Sequence, residues 1–259
     1  MPRYPSRYTT SSVSFNPGPI STALKALIAA NVAVFIAQKL TEQWLLVGTP
    51  WPMLTAVFGL RSDALVHKLW LWQPVTYMFL HGGIFHILFN MLALWMFGAQ
   101  LEQMWGSRFF LKFYFVTGIG AAVLTVLFSF LPFEFSQQLR DVPIIGASGA
   151  IYGLLLAYAM YFPERPILLL IFWVPAKWCV AILGAIALYS SLGDAGGTAN
   201  ATHLFGLLVG YLYLKNGSVH PILEIRYRFN KWKLNRIRTR KKFDVYSGGR
   251  ADDWNRRVH

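Results

Sequence analysis

Residues 81–100 read HGGIFHILFNMLALWMFGAQ, and they lie in a run from 69 to 101 that contains no Asp, Glu, Lys or Arg. A helix crossing a bilayer needs about 20 predominantly apolar residues, and the part of this run after Gly83 meets that need. Outward from it come four further uncharged windows, at 113–133, 142–163, 178–193 and 195–214. Each is near or above a spanning length. Upstream, residues 21–40 carry Lys25 and Lys39 on either side of the apolar run Ala26–Ile36. Lysine stems placed there carry their charges to the headgroups, which makes this stretch a first span. The other reading, a signal peptide, lacks a clean small-residue cleavage pattern.

Composition points the same way. The chain has 259 residues, 55% hydrophobic, 16% aromatic and only 14% charged, with mean hydropathy +0.42; this excludes a single water-soluble globule. The predicted fold is all-α, a polytopic membrane protein with six transmembrane helices. The spans run over about 21–40, from near Gly83, Arg108 to Leu131, Ser148 to Phe162, from just after Pro175, and Thr198 to Lys215. Thr41 to Leu80 is then a long first loop, rich in Trp44, Trp51, Trp70 and Trp72, which suits a segment lying in the membrane interface. One cysteine, Cys179, excludes an intramolecular disulfide and a thiolate metal cluster.

The net charge of +13 is mostly a property of the C-terminus, where residues 216–259 hold twelve Lys or Arg against Glu224, Asp244, Asp252 and Asp253. With six spans both termini share a side. Lys39, Arg61, Lys68 and Arg140 fall on one side and every other Lys or Arg on the other, so both ends are expected to be cytoplasmic. A basic tail there favours attraction to anionic lipid over nucleic acid, and no nucleic-acid partner is expected. The expected organisation is a cytoplasmic segment 1–20, a six-helix membrane domain 21–215 and a basic cytoplasmic tail 216–259.

Strongly polar groups inside a membrane cost on the order of 2.5–3.5 kcal/mol for a central charge, so each invites a functional reading. The second span and its entrance carry His81, His86 and Asn90, with His86 and Asn90 one helical turn apart on a shared face. The fourth opens Gly146-Ala147-Ser148-Gly149 and the sixth holds His203. Ser148 and His203 form a candidate nucleophile–base dyad from two helices. Gly149, Gly153 and Ala157 on the fourth span, and Gly206 and Gly210 on the sixth, are small-residue stripes that let the two backbones approach. Tyr152, one turn from Ser148, is placed to cover the imidazole. His86 and Asn90 are candidate donors to an oxyanion, together with the backbone N–H groups at the start of the fourth helix.

Each residue alone also has a plain structural reading. Small residues around Ser148 are common packing elements, His203, His86 and Asn90 can serve as interhelical glue, and two histidines on different helices can hold haem. What favours catalysis is that all four fall at one level of the membrane. Zinc-protease and aspartyl chemistries are excluded by absence: there is no His-Glu-x-x-His, and no intramembrane aspartate pair, Asp194 being a lone loop acid. A small-solute transporter would call for inverted repeats or discontinuous helices with coupling charges, and neither is evident.

On these residues the sequence resembles the rhomboid family of intramembrane serine proteases over about residues 20–215: His81 and His86 with Asn90, Gly146-x-Ser148-Gly149, and His203 with Gly206. The resemblance implies a six-helix rhomboid-like bundle with Ser148 and His203 as catalytic dyad and His86 and Asn90 lining the oxyanion hole. It implies a water-accessible cavity opening away from the cytoplasm, transmembrane protein substrates, and no cofactor or metal. The bacterial cytoplasmic membrane is the expected address. The alternative within the family is an inactive member that binds membrane clients. Two departures are visible: the first loop reads Trp72-Gln73 where many members have Trp-Arg, and the basic tail carries no family motif.

Overall fold

The computed structural model describes residues 19–42, 50–132, 134–137, 139–140, 142–169, 172–191 and 197–215. The expected N-terminal segment (except 19–20), Trp44, Asp194 and the basic tail lie outside the described residues. Six long helices follow the hydropathy windows: α1 (Thr22–Leu40), α5 (Ile84–Trp105), α6 (Ser107–Ser129), α8 (Ser148–Tyr161), α9 (Ala176–Ser191) and α10 (Gly197–Lys215). Between them lie α2 (Met53–Phe58), α3 (Ser62–His67), α4 (Gln73–Thr76), α7 (Glu134–Gln137) and a two-stranded antiparallel hairpin, β1 (Pro166–Leu169) with β2 (Phe172–Pro175). Among the described helices α1, α5 and α6 are long and apolar enough to cross a membrane unaided, while α8 and α9 are apolar but have 14 and 16 residues.

The helices begin and end where local chemistry demands. Ser21 caps α1 by accepting the Leu24 N–H at 3.1 Å, satisfying one of the first-turn donors that a helix leaves open. Its hydroxyl also donates to Glu102 on α5, whose second oxygen accepts from Ser107 at 2.5 Å. One buried carboxylate thus ties together the ends of α1, α5 and α6. Gly106 makes the turn between α5 and α6 at φ +80°, a left-handed value that favours glycine.

The bundle interior holds Tyr77, Phe110, Phe113 and Tyr114, all fully buried. Helix α10 packs against α8, α6 and α9. Its approach to α8 depends on the two glycine stripes: a Cβ on Gly206 would lie 2.0 Å from the Gly149 carbonyl oxygen, and one on Gly210 would lie 3.1 Å from Gly153 Cα. One turn before Gly206, Thr202 of α10 shares a buried hydrogen bond of 3.0 Å with Thr125 of α6.

The first loop is more regular than its sequence implied. Helices α2, α3 and α4 are pinned there by Gln73, which is fully buried: its amide oxygen accepts the Arg61 N–H at 3.0 Å and its NH2 donates to the Val57 carbonyl at 3.1 Å. The indole of Trp72 donates to the same carbonyl at 3.0 Å. Glutamine at this position therefore organises the loop by neutral hydrogen bonds.

Candidate active site

Three of the six long helices, α5, α8 and α10, each bring an element to the site. Ser148 is the first residue of α8, and its hydroxyl lies 2.6 Å from His203 Nε2 on α10. This is hydrogen-bond distance, the arrangement that a nucleophilic hydroxyl and its base require. No carboxylate completes a triad among the described residues: His203 Nδ1 is buried without a hydrogen-bond partner there. The ring is held instead by Tyr152, stacked on it with centroids 4.3 Å apart and planes 6° from parallel.

His86 and Asn90 project from the first two turns of α5 into the same place. Together with Ser148 and Tyr152 they line a cavity of about 340 Å³ whose other walls include Phe89, Phe97, Ile151 and Leu183. The Gly82 N–H donates to His86 Nδ1 at 3.2 Å, so the neutral imidazole carries its proton on Nε2. That nitrogen points toward Gly146, where a Cβ would meet it at 2.8 Å and Ser148 Oγ at 3.5 Å. Any residue other than glycine at 146 would therefore push a side chain between His86 Nε2 and Ser148 Oγ. Gly146 holds φ +128°, a conformation side chains rarely adopt. Asn90 Nδ2 is buried with no partner among the described residues, a free donor facing the cavity. At the α8 N-terminus the cap residue is Ala147, whose methyl side chain cannot accept from the first-turn N–H groups.

All four expected residues are thus brought together. His81 is not part of this wall. It is fully buried in the segment leading to α5, where its N–H donates to Gln38 Oε1 of α1 at 3.0 Å and its ring meets His86 edge-on at 5.0 Å. Burial, followed by the His86 imidazole, pushes the His81 imidazole down to about 4, against a smaller upward effect of the Phe79 carbonyl. Gln38 also donates to Thr55 Oγ1 at 3.2 Å, so α1 steadies both the first loop and the entrance to α5.

Sequence reasoning missed Gln38 and Tyr77. The Tyr77 carbonyl accepts the Gly146 N–H at 2.9 Å, and its hydroxyl donates to the Gly118 carbonyl of α6 at 2.7 Å. Tyr77 therefore fixes the strained turn before Ser148. Only a polar group near the end of an apolar span hinted at Gln38; nothing local marked Tyr77.

Fold and site together define a polytopic helical membrane protein with a serine–imidazole pair set inside the bundle. The Rhomboid domain model matches residues 68–217, more than half of the chain, and the chain belongs to the rhomboid family. It is 33% identical over 191 residues to Rhomboid protein 1, mitochondrial, of Saccharomyces cerevisiae, covering 73% of this chain and 51% of that protein. RHOMBOID-like protein 2 of Arabidopsis thaliana is 30% identical over 230 residues, 89% of this chain and 67% of that one. Rhomboid protease GluP of Bacillus subtilis is 33% identical over 149 residues, 58% of this chain and 26% of that one. The chain thus spans about half the length of the yeast relative and a smaller part of GluP.

Proposed function

We propose that this chain is an intramembrane serine endopeptidase that hydrolyses peptide bonds in or near the transmembrane segments of membrane-protein substrates. The observation that carries this reading is the 2.6 Å contact between Ser148 Oγ and His203 Nε2, held under the Tyr152 ring at the wall of an apolar cavity.

In the proposed mechanism neutral His203 takes the Ser148 proton on Nε2 as Oγ attacks the scissile carbonyl carbon. The resulting oxyanion occupies the space beside Gly146, where His86 Nε2–H, the Asn90 amide and the Ser148 N–H donate to it; donors aimed at developing charge are worth about 10²–10³ each in rate. Imidazolium then gives its proton to the leaving amine, the C–N bond breaks and an ester on Ser148 remains. Water attacks this ester with His203 again as base, and the proton returns to Ser148 as the acid product leaves. Because a carbonyl inside a helix is already hydrogen-bonded, the substrate unwinds locally before attack. Helix-breaking residues near the cut therefore favour cleavage.

The same proposal assigns residues 21–215 to the protease domain, residues 216–259 to a basic cytoplasmic tail, both termini to the cytoplasm and the protein to a bacterial cytoplasmic membrane. The chemistry requires neither metal nor organic cofactor. Its test is cleavage of a membrane reporter by the reconstituted protein. Wild type is expected to cut, and to cut a Gly- or Pro-containing span faster than a uniform Leu-rich one; equal turnover by Ser148→Ala and wild type contradicts the reading.

A further inference from the structure

Residues 166–175, Pro-Ile-Leu-Leu-Leu-Ile-Phe-Trp-Val-Pro, contain no charged side chain and no hydroxyl or amide side chain, yet they link α8 to α9 at the end of the bundle away from Ser148. A loop between spans is ordinarily polar and faces water. This one pairs as a hairpin in which Ile167 lies opposite Val174 and Leu168 opposite Trp173. Ile167 turns inward and is buried, while Leu168 and Trp173 stand on the outer face and Phe172 is 67% exposed. A two-stranded hairpin is marginal in water by itself, and a wholly apolar one with this outer face needs a cover.

Three observations identify the cover as the lipid interface. Helices α8 and α9 have 14 and 16 residues, so at 1.5 Å per residue they reach about 21 and 24 Å, short of a hydrocarbon core of about 30 Å. Two spans this short leave part of the lipid thickness for other segments to fill, and the hairpin stands at their end away from Ser148. Helix α9, against which the strands pack, carries an exposed apolar stripe of its own, Trp178, Ile182, Ile186 and Tyr189, at the three- and four-residue spacing of one helix face. Arg165 and Lys177 bracket the apolar run, each lying over an aromatic ring, Arg165 5.4 Å from Phe162 and Lys177 6.0 Å from Trp178. Cation and aromatic side chains together mark the headgroup level.

We infer that the 166–175 hairpin is a membrane-interface anchor, immersed in the leaflet at the end of the bundle opposite Ser148, with Leu168, Phe172 and Trp173 among the acyl chains and Arg165 and Lys177 at the headgroups. It holds the start of α9, against which both strands pack, by contact with lipid. This inference does not depend on the proposed protease activity.

The test uses spin labels on the 259-residue chain in phosphatidylcholine–phosphatidylglycerol vesicles. Phe172→Cys and Leu168→Cys are made separately in a Cys179→Ser background, since Cys179 is the one native thiol, with Glu164→Cys as the solvent reference. The anchor predicts that nitroxides at 168 and 172 collide more with oxygen than with a neutral nickel chelate, with the order reversed at 164. Nickel-dominated collisions at 168 and 172 place the hairpin in water and overturn the inference. Weak collisions with both reagents mean that protein covers the face, a partner or a second copy, and overturn it equally. The two sites lie on different strands, so failure of one variant to fold leaves the other as the test.

Discussion

The rings of Tyr152 and His203 lie face to face, 4.3 Å between centroids and 6° from parallel, on two helices whose backbones meet through glycine. In the proposed dyad this stack would do the orienting that a carboxylate does in a triad, since His203 Nδ1 has no acceptor among the described residues. The expected consequence is that Tyr152→Phe, which keeps the ring, retains most activity, whereas Tyr152→Ala lowers kcat about tenfold or more with KM little changed. Steady-state kinetics on a reporter substrate separate the two.

The proposed oxyanion donation by His86 and Asn90 of α5 makes a second expectation. Asn90→Ala and His86→Ala each remove one donor and should each lower kcat by about 10²–10³. Ser148→Ala and His203→Ala should reduce turnover to background, and the double variant should be no worse than either alone, since the pair acts as a unit. Single-turnover cleavage by the four variants and the double variant checks both statements.

Close approach of α8 and α10 can be tested by one methyl group. At Gly206 a Cβ would lie 2.0 Å from the Gly149 carbonyl oxygen, whereas at Gly184 its nearest neighbour is Leu207 Cδ1 at 3.5 Å. Gly206→Ala must push the helices apart, at a cost of about 1–3 kcal/mol or more, and carry His203 away from Ser148. Thermal unfolding in detergent should show a lowered Tm for Gly206→Ala and an unchanged one for Gly184→Ala.

Acid should destabilise the fold partly through His81. Its imidazole is pushed down to about 4 by burial, while the unfolded chain protonates near the ordinary value of about 6.5. Between these values the unfolded state binds the extra proton, so stability is lost as pH falls from about 6.5 toward 4. Comparing the pH dependence of Tm for wild type and His81→Gln isolates this contribution; the variant should show the shallower decline over that window.

The six spans were legible because their signal is local: an uncharged window of spanning length needs no knowledge of its neighbours. Ser148, His203, His86 and Asn90 were legible for a related reason, since polar groups stand out on apolar helices and the glycines beside them announced close packing. What stayed hidden was non-local or too short to show a period. Gln38 meets His81 across 43 residues, and Tyr77 meets Gly118 across 41, pairings that no window contains. The first-loop helices have six residues or fewer, too few for amphipathic periodicity. Residues 166–175 lie between the expected fourth and fifth spans and are uniformly apolar, with no period-2 alternation to mark strands; the structure pairs 166–169 with 172–175 as a hairpin.

The central claim is that Ser148 is an activated nucleophile, and a serine-reactive fluorophosphonate tests it directly. The detergent-solubilised protein, its Ser148→Ala and His203→Ala variants are treated with the probe, and the modified residue is located by mass spectrometry. The account predicts one adduct on Ser148 in the wild type and none in either variant. A folded wild type that takes up no label, or labels at the same rate without His203, would contradict it and favour a family member that binds membrane clients without cutting them.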